Sequence, residues 1–156
     1  MIQLTDILEL SCIKIPIQAT EKYQSITELM DLLAQSGKLA DYHTALQAVL
    51  DREAIRSTGV GQGFAIPHGK TTAVDRLVMA IGKLEQPIDF DSIDGQPVTM
   101  IVLLVSPNDK TGPHIQAIAR ISRLMMDQNL RLLLWSAASA EEFYQYIVEY
   151  EKQNRV

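Results

Sequence analysis

The sequence predicts an α/β domain in which a small sheet is covered by helices. Three observations carry this. Leu77 to Leu84 and Val98 to Ser106 are mostly apolar segments of strand length. Apolar residues recur at helical spacing on both sides of them, in the first third of the chain and again in the last. No linker rich in Gly, Ser or Pro and no internal repeat divides the 156 residues, a length that suits one domain with a real core.

Taken in order, Ser11 to Ile17 alternates apolar with small or polar residues, as a short strand does. Ser25 to Gln35 carries Ile26, Leu29, Met30, Leu32 and Leu33 at helical spacing, and Gly37 stops that helix. Asp41 reads as the N-cap of a second helix with Ala45, Leu46, Val49, Leu50 and Ile55 on one stripe. Gly59, Gly61 and Gly63 then punctuate a loop leading into Phe64-Ala65-Ile66, which ends at Pro67. Of the two main strands, the second is apolar at nearly every position and is expected to be central, covered on both faces. Asp94-Gly95 makes the turn between them.

Thr111-Gly112-Pro113 opens the next helix, with Pro near its first position and Ile115, Ile118, Ala119, Ser122, Leu124 and Met125 as the expected buried stripe. Two shorter helices follow, about Leu130 to Ala137 and Ala140 to Lys152, the last capped by Ser139.

Composition narrows the classes of function. With 47% hydrophobic and 21% charged residues, the chain is neither disordered nor a disulfide framework. Its lone Cys12 reads as a buried thiol in a reducing cytoplasm. The net charge of −5 comes from 14 Lys+Arg and 19 Asp+Glu, scattered and without a basic run, so no nucleic-acid partner is expected. The longest apolar run, Met100 to Val105, is too short for a bilayer, so no direct membrane insertion is expected. The acidic residues of MIQLTDILEL do not suit a secretory signal. Localisation is expected to be cytoplasmic.

Two motifs mislead. Gly69-Lys70-Thr71 resembles the end of a phosphate-binding P-loop, but the required first glycine falls on Phe64. A GxGxxG reading of Gly59-Val60-Gly61 fails at the same residue. His43, His68 and His114 have no short metal-ligand spacing, and His43 reads as a surface residue. A zinc site on His68 and His114 stays open at this point, with nothing that favours it.

The segment from Gly59 to Lys70 is the unusual one. Its alternating glycines let the backbone turn tightly and another molecule approach closely. Pro67 fixes the chain before His68 and Gly69 removes steric cover after it, so His68 is held and exposed, as a nucleophile must be. The competing reading is a glycine-rich hairpin whose histidine is incidental. His114 follows Pro113 in the first turn of a helix, where free N–H groups attract anions and favour neutral imidazole; on its own it reads better as an ordinary capping residue.

The stretch Ser57-Thr58-Gly59-Val60-Gly61-Gln62-Gly63-Phe64-Ala65-Ile66-Pro67-His68-Gly69-Lys70 resembles the phosphorylation-site signature of phosphotransferase-system EIIA domains of the fructose/mannitol class, which includes the nitrogen-regulatory EIIA proteins. Leu50-Asp51-Arg52-Glu53 places Arg52 sixteen residues before His68, where that family carries an arginine. Pro113-His114-Ile115-Gln116 places His114 forty-six residues after it, where the family carries a second histidine. Pro87 to Val98 resembles the family's middle region. The likeness covers nearly the whole chain.

This resemblance implies a single EIIA domain over 1–156, core about 5–150, with a mixed sheet flanked by helices. It implies a phosphocarrier, a protein-to-protein phosphotransferase. His68 would accept a phosphoryl group from HPr or its nitrogen-branch counterpart and pass it to an EIIB domain, or its state would regulate partner proteins. The residues suit that chemistry, which asks mostly for positioning and charge stabilisation. Arg52 supplies a permanently charged fork for phosphoryl oxygens and His114 further donors. Transfer between histidines is nearly isoenergetic, so no cofactor, metal or nucleotide is called for, and Lys70 is closer to a bystander. Phe64, Ile66 and Val60 are candidates for an apolar recognition surface, each also a candidate for the core. A short chain without attached EIIB, EIIC or HPr sequence favours the nitrogen-regulatory kind over a sugar-specific one. The competing classes are an EIIA-like binding module that is no longer phosphorylated and, last, a small hydrolase using His68 and His114 as acid and base.

Overall fold

Strand β6 (Val98–Pro107), buried at every position except Thr99, organises the molecule. In the computed structural model, which describes residues 2–154, it pairs antiparallel with β5 (Val78–Ile88) along one edge. Its other edge carries two short parallel strands in succession: β3 (Phe64–Ala65) opposite Met100 and Ile101, then β4 (His68–Thr71) opposite Leu104 to Pro107. Strand β1 (Ile13–Ile17) lies parallel outside β5, and β2 (Gly59–Gly61) forms a hairpin with β3. The sheet is therefore six-stranded and mixed, in the order β1-β5-β6-β3-β2 with β4 also on β6.

The period-two alternation of β6 feeds two layers. Ile101, Leu103 and Val105 pack beneath α1 (Lys22–Gln35) and α2 (Tyr42–Ile55), against Ile26, Leu29, Met30, Leu33, Ala45 and Val49. Met100, Val102 and Leu104 face α3 (Thr111–Met125), α4 (Gln128–Ser136) and α5 (Ala140–Gln153), against Ala117, Ile121, Leu124, Leu134, Phe143 and Ile147. This is the expected small sheet flanked by helices in a single domain. The ends of the 1–156 expectation, Met1, Arg155 and Val156, lie outside the described residues.

Local signals behave as the sequence indicates. Asp41 accepts from the Thr44 N–H at 3.2 Å, and Ser139 from the Glu142 N–H at 3.1 Å. Gly37, at φ +71°, closes α1 by a Schellman turn in which the Lys38 N–H donates to the Leu33 carbonyl. Cys12 is buried. Among the described residues no helix is long and apolar enough to cross a membrane.

Several expectations need correction. Ile55 is 81% exposed, because Glu53 takes the inward position after Ala45 and Val49. In α3 the buried stripe is His114, Ala117, Arg120, Ile121, Leu124 and Met125; Ile115 and Ala119 point outward. Each inward charged group has a partner, so polarity alone misassigns the helix face. Glu53 accepts from Lys22, and Arg120 donates to Glu151 at 3.1 Å. For the same reason α1 begins at Lys22, three residues ahead of its apolar periodicity. Strand β5 also runs on to Ile88, and β4 was not expected.

Gly69 fixes how the site is assembled. A Cβ there would stand 3.0 Å from the Val49 nitrogen and 3.1 Å from the Ala48 carbonyl carbon, both backbone atoms of α2. Only glycine lets α2 lie directly on β4.

Candidate functional site

Between β3 and β4 the ladder is interrupted at Ile66 and Pro67, and this break creates the site. Pro67 has no N–H to donate. Its carbonyl accepts from the Leu104 N–H at 3.0 Å, while the Ile66 N–H turns back to the Thr58 carbonyl at 3.0 Å. The Ile66 carbonyl is left to meet His68 Nδ1 at 2.7 Å. A carbonyl can only accept, so the Nδ1 of neutral His68 carries the proton and Nε2 keeps its lone pair. Burial pushes the His68 pKa below its ordinary value; the Ile66 bond opposes this, the Arg52 charge adds to it, and the Glu53 charge opposes it. The imidazole is thus neutral and nucleophilic at pH 7.

His114 enters from the other layer, in the first turn of α3. Its ring centroid lies 5.4 Å from that of His68. The side chain is buried, and its Nδ1 bonds Ser106 Oγ at 2.7 Å. Burial, then the neighbouring His68 and Lys70, push its pKa down to about 4. Lys70 donates to Thr111 Oγ1 at 3.2 Å, tying β4 to the start of α3.

Arg52 comes from the last turn of α2, where its Nη1 donates to the Arg56 carbonyl at 2.9 Å. It lines a cleft of about 300 Å³ together with His68, Arg56, Val60, Ile93 and Ile118. The structure therefore brings Arg52 and His68 to one cleft and sets His114 beside His68. Among the three recognition candidates, Val60 is 45% exposed, whereas Phe64 and Ile66 are buried because they fill the α3 side of the core. Ile93, 74% exposed on the turn after β5, supplies apolar rim that the sequence reading did not name.

Two other residues escaped that reading. Glu53, buried next to Arg52, accepts from Lys22 at 2.8 Å and from both the N–H and the hydroxyl of Thr58, holding the base of the hairpin. Its signal was the spacing Ala45, Val49, Glu53. Ser106 closes an otherwise apolar strand, and a polar residue there was itself the clue.

Among the described residues no group of three or more His, Cys, Asp or Glu is arranged to hold a metal ion. His43 is exposed, as expected. A larger cleft of about 410 Å³ is lined by Gln116, Ala119, Arg120 and Arg123, but it holds no nucleophile and its Arg120 is committed to Glu151. A neutral nitrogen nucleophile, a permanent cation and a second imidazole around a shallow cleft suit the transfer of a small anionic group.

Residues 6–150 match the family model described as phosphoenolpyruvate-dependent sugar phosphotransferase system, EIIA 2. The chain is 33% identical over 150 residues to the PTS system fructose-specific EIIABC component of Bacillus subtilis, covering 96% of this chain and 24% of that protein. It is 33% identical over 153 residues to the nitrogen regulatory protein of Escherichia coli K12, covering 96% of this chain and 92% of that one. The crystal structure of nitrogen regulatory protein IIA-Ntr from Neisseria meningitidis superposes with a TM-score of 0.85 at 30% identity, over 92% of this chain and 98% of that chain.

Proposed function

Because the chain belongs to the EIIA 2 family of the phosphoenolpyruvate-dependent sugar phosphotransferase system, we propose that it is a phosphocarrier whose acceptor is His68 Nε2. The observation that carries this reading is the bond from His68 Nδ1 to the Ile66 carbonyl, which leaves Nε2 as the reactive nitrogen.

The donor is a phosphohistidine carrier protein, HPr or its nitrogen-branch counterpart. The Nε2 lone pair attacks phosphorus, the N–P bond to the donor imidazole breaks, and that electron pair returns to the donor nitrogen. Arg52 offers its guanidinium to the equatorial oxygens, whose charge needs a fixed counter-charge in the transition state. His114 contributes a second donor. Val60 and Ile93 exclude water at the rim of a transient protein–protein contact. Onward transfer goes to an EIIB domain, or the phosphorylation state is read by a regulated target.

The regulatory role is favoured, because the solved nitrogen regulatory protein superposes with a TM-score of 0.85 at 30% identity. A sugar-specific role is the second reading, supported by the 33% identity to the fructose-specific protein. The test is intact-protein mass after incubation with phosphoenolpyruvate, enzyme I and HPr, with the nitrogen-branch pair run alongside, for wild type, His68→Ala and His114→Ala. An acid-labile gain of one phosphoryl group that only His68→Ala lacks is the expected result. Absence of label with both donor pairs would hand the chain to the binding-module reading. Faster labelling by the nitrogen-branch pair favours regulation; transfer to a purified fructose EIIB favours sugar uptake.

A further inference from the structure

We infer that Ser106 is a positioning residue: its hydroxyl donates to His114 Nδ1 and so keeps the His114 proton on Nε2, where it can bond a phosphoryl oxygen carried by His68. This rests on the phosphocarrier reading for its use, but the tautomer itself is a property of the resting protein.

The argument is one of hydrogen-bond accounting. Ser106 is fully buried, and among the described residues its Oγ has a single partner, His114 Nδ1 at 2.7 Å. Two arrangements fit that distance. If Nδ1–H donated, the buried serine O–H would have no acceptor, and a buried donor left unmade is the costly defect. If the serine O–H donates, it and Nδ1 are both satisfied, and the remaining hydrogen of neutral imidazole must sit on Nε2. Nε2, on the other edge of the ring, has no protein partner among the described residues and is free to serve a ligand. The third possibility, an imidazolium, is opposed by burial and by the neighbouring His68 and Lys70.

The two imidazoles are thereby set in opposite tautomers by opposite kinds of neighbour. A backbone carbonyl, able only to accept, places the His68 proton on Nδ1 and bares Nε2 for attack. A hydroxyl whose one partner among the described residues is the ring places the His114 proton on Nε2 and makes it a donor. Both settings hang on β6. Its Leu104 N–H holds the Pro67 carbonyl next to His68, and two residues later Ser106, opposite Lys70 of β4, holds His114. A strand is a rigid place to build such a pair.

The test is nitrogen-15 NMR of histidine-labelled protein, read beside the rate of phosphoryl transfer from HPr, for wild type, Ser106→Ala, Ser106→Thr, His114→Ala and the Ser106→Ala/His114→Ala double variant. Wild-type His114 should show protonated Nε2 and bare Nδ1, with His68 the reverse. Ser106→Ala should bring in the other His114 tautomer and slow transfer about tenfold, less than the roughly hundredfold or more that outright loss of an oriented donor costs, because part of the population keeps its proton on Nε2. Ser106→Thr, which keeps the hydroxyl, should restore both, and the double variant should be no slower than His114→Ala. The wild-type spectrum decides even if Ser106→Ala folds poorly: a proton on His114 Nδ1 overturns the inference. So does a Ser106→Ala protein with unchanged tautomer and rate. If wild type takes up no phosphoryl group at all, the phosphocarrier reading falls, while the spectrum still judges Ser106.

Discussion

Replacing Glu53 by Gln probes the least visible support of the site. The carboxylate is buried, and it holds Lys22 Nζ at 2.8 Å and the Thr58 N–H at 2.9 Å, besides the Thr58 hydroxyl. Lys22 is itself nearly buried, its ammonium 5.1 Å from the centre of the Phe90 ring. Removing one member of a buried ion pair costs about 3–5 kcal/mol; here Lys22 would keep, among the described residues, only the exposed Asp91 carboxylate, 4.0 Å away, as a weak counter-charge. Gln keeps an acceptor for Thr58, which puts the loss near the lower end, about 3 kcal/mol. For a domain of this size that lowers Tm by about 6–12 °C. Calorimetry with urea titration measures it. Lys22→Met should recover at least about 1 kcal/mol when combined with Glu53→Gln, since no charge is then stranded. The loosened hairpin base should also slow phosphorylation of His68. A loss below about 1 kcal/mol, or strict additivity of the two variants, would show that the pair is not coupled as described.

Three further expectations follow from the same geometry. The folded pKa of His114, about 4, lies below the unfolded value of about 6.5, so between them the unfolded chain binds more protons and stability falls as pH drops from about 6.5 to about 4. His114→Asn lacks this contribution; urea midpoints at several pH values should converge on acidification for wild type against the variant, and parallel curves would contradict the burial argument. Gly69→Ala should cost about 1–3 kcal/mol and slow His68 labelling, because the new methyl pushes α2, and Arg52 with it, away from β4; a fully active variant of wild-type Tm would refute the close contact. Arg52→Lys keeps the charge but loses the fork, so labelling should slow about tenfold with stability almost unchanged. An equal rate would mean that point charge alone suffices.

Much of the fold was legible, because burial and local chemistry agreed along most of the chain. The caps at Asp41 and Ser139, the stop at Gly37 and the mostly apolar β6 each follow from a local rule that nothing in the tertiary structure overrides. The misread faces of α2 and α3 share one cause. Glu53, His114 and Arg120 point inward because a partner on another element satisfies each of them, and hydropathy cannot see a partner. The grouping of Arg52, His68 and His114 was legible only through spacing that matches a known pattern. Composition alone left His114 as a plain capping residue. Strand β4 was missed because His-Gly-Lys-Thr has no strand signature; its pairing is imposed by the free edge of β6.

The position of the site follows from that edge. β3 and β4 take successive stretches of the same edge of β6, and the two residues between them cannot both join the ladder. Proline at the break removes one donor outright, and the preceding carbonyl, freed from pairing, orients the histidine that begins the next strand. That histidine stands where the helix layers approach from both faces of the sheet. One layer brings Arg52 on α2, lowered onto β4 by Gly69; the other brings His114 on α3, oriented from within β6. Each group sits on a different rigid element, so the geometry of the cleft is only as good as the packing of two separate cores. Substitutions deep in either layer, far from any phosphoryl oxygen, should therefore register in transfer rate before they register as loss of fold.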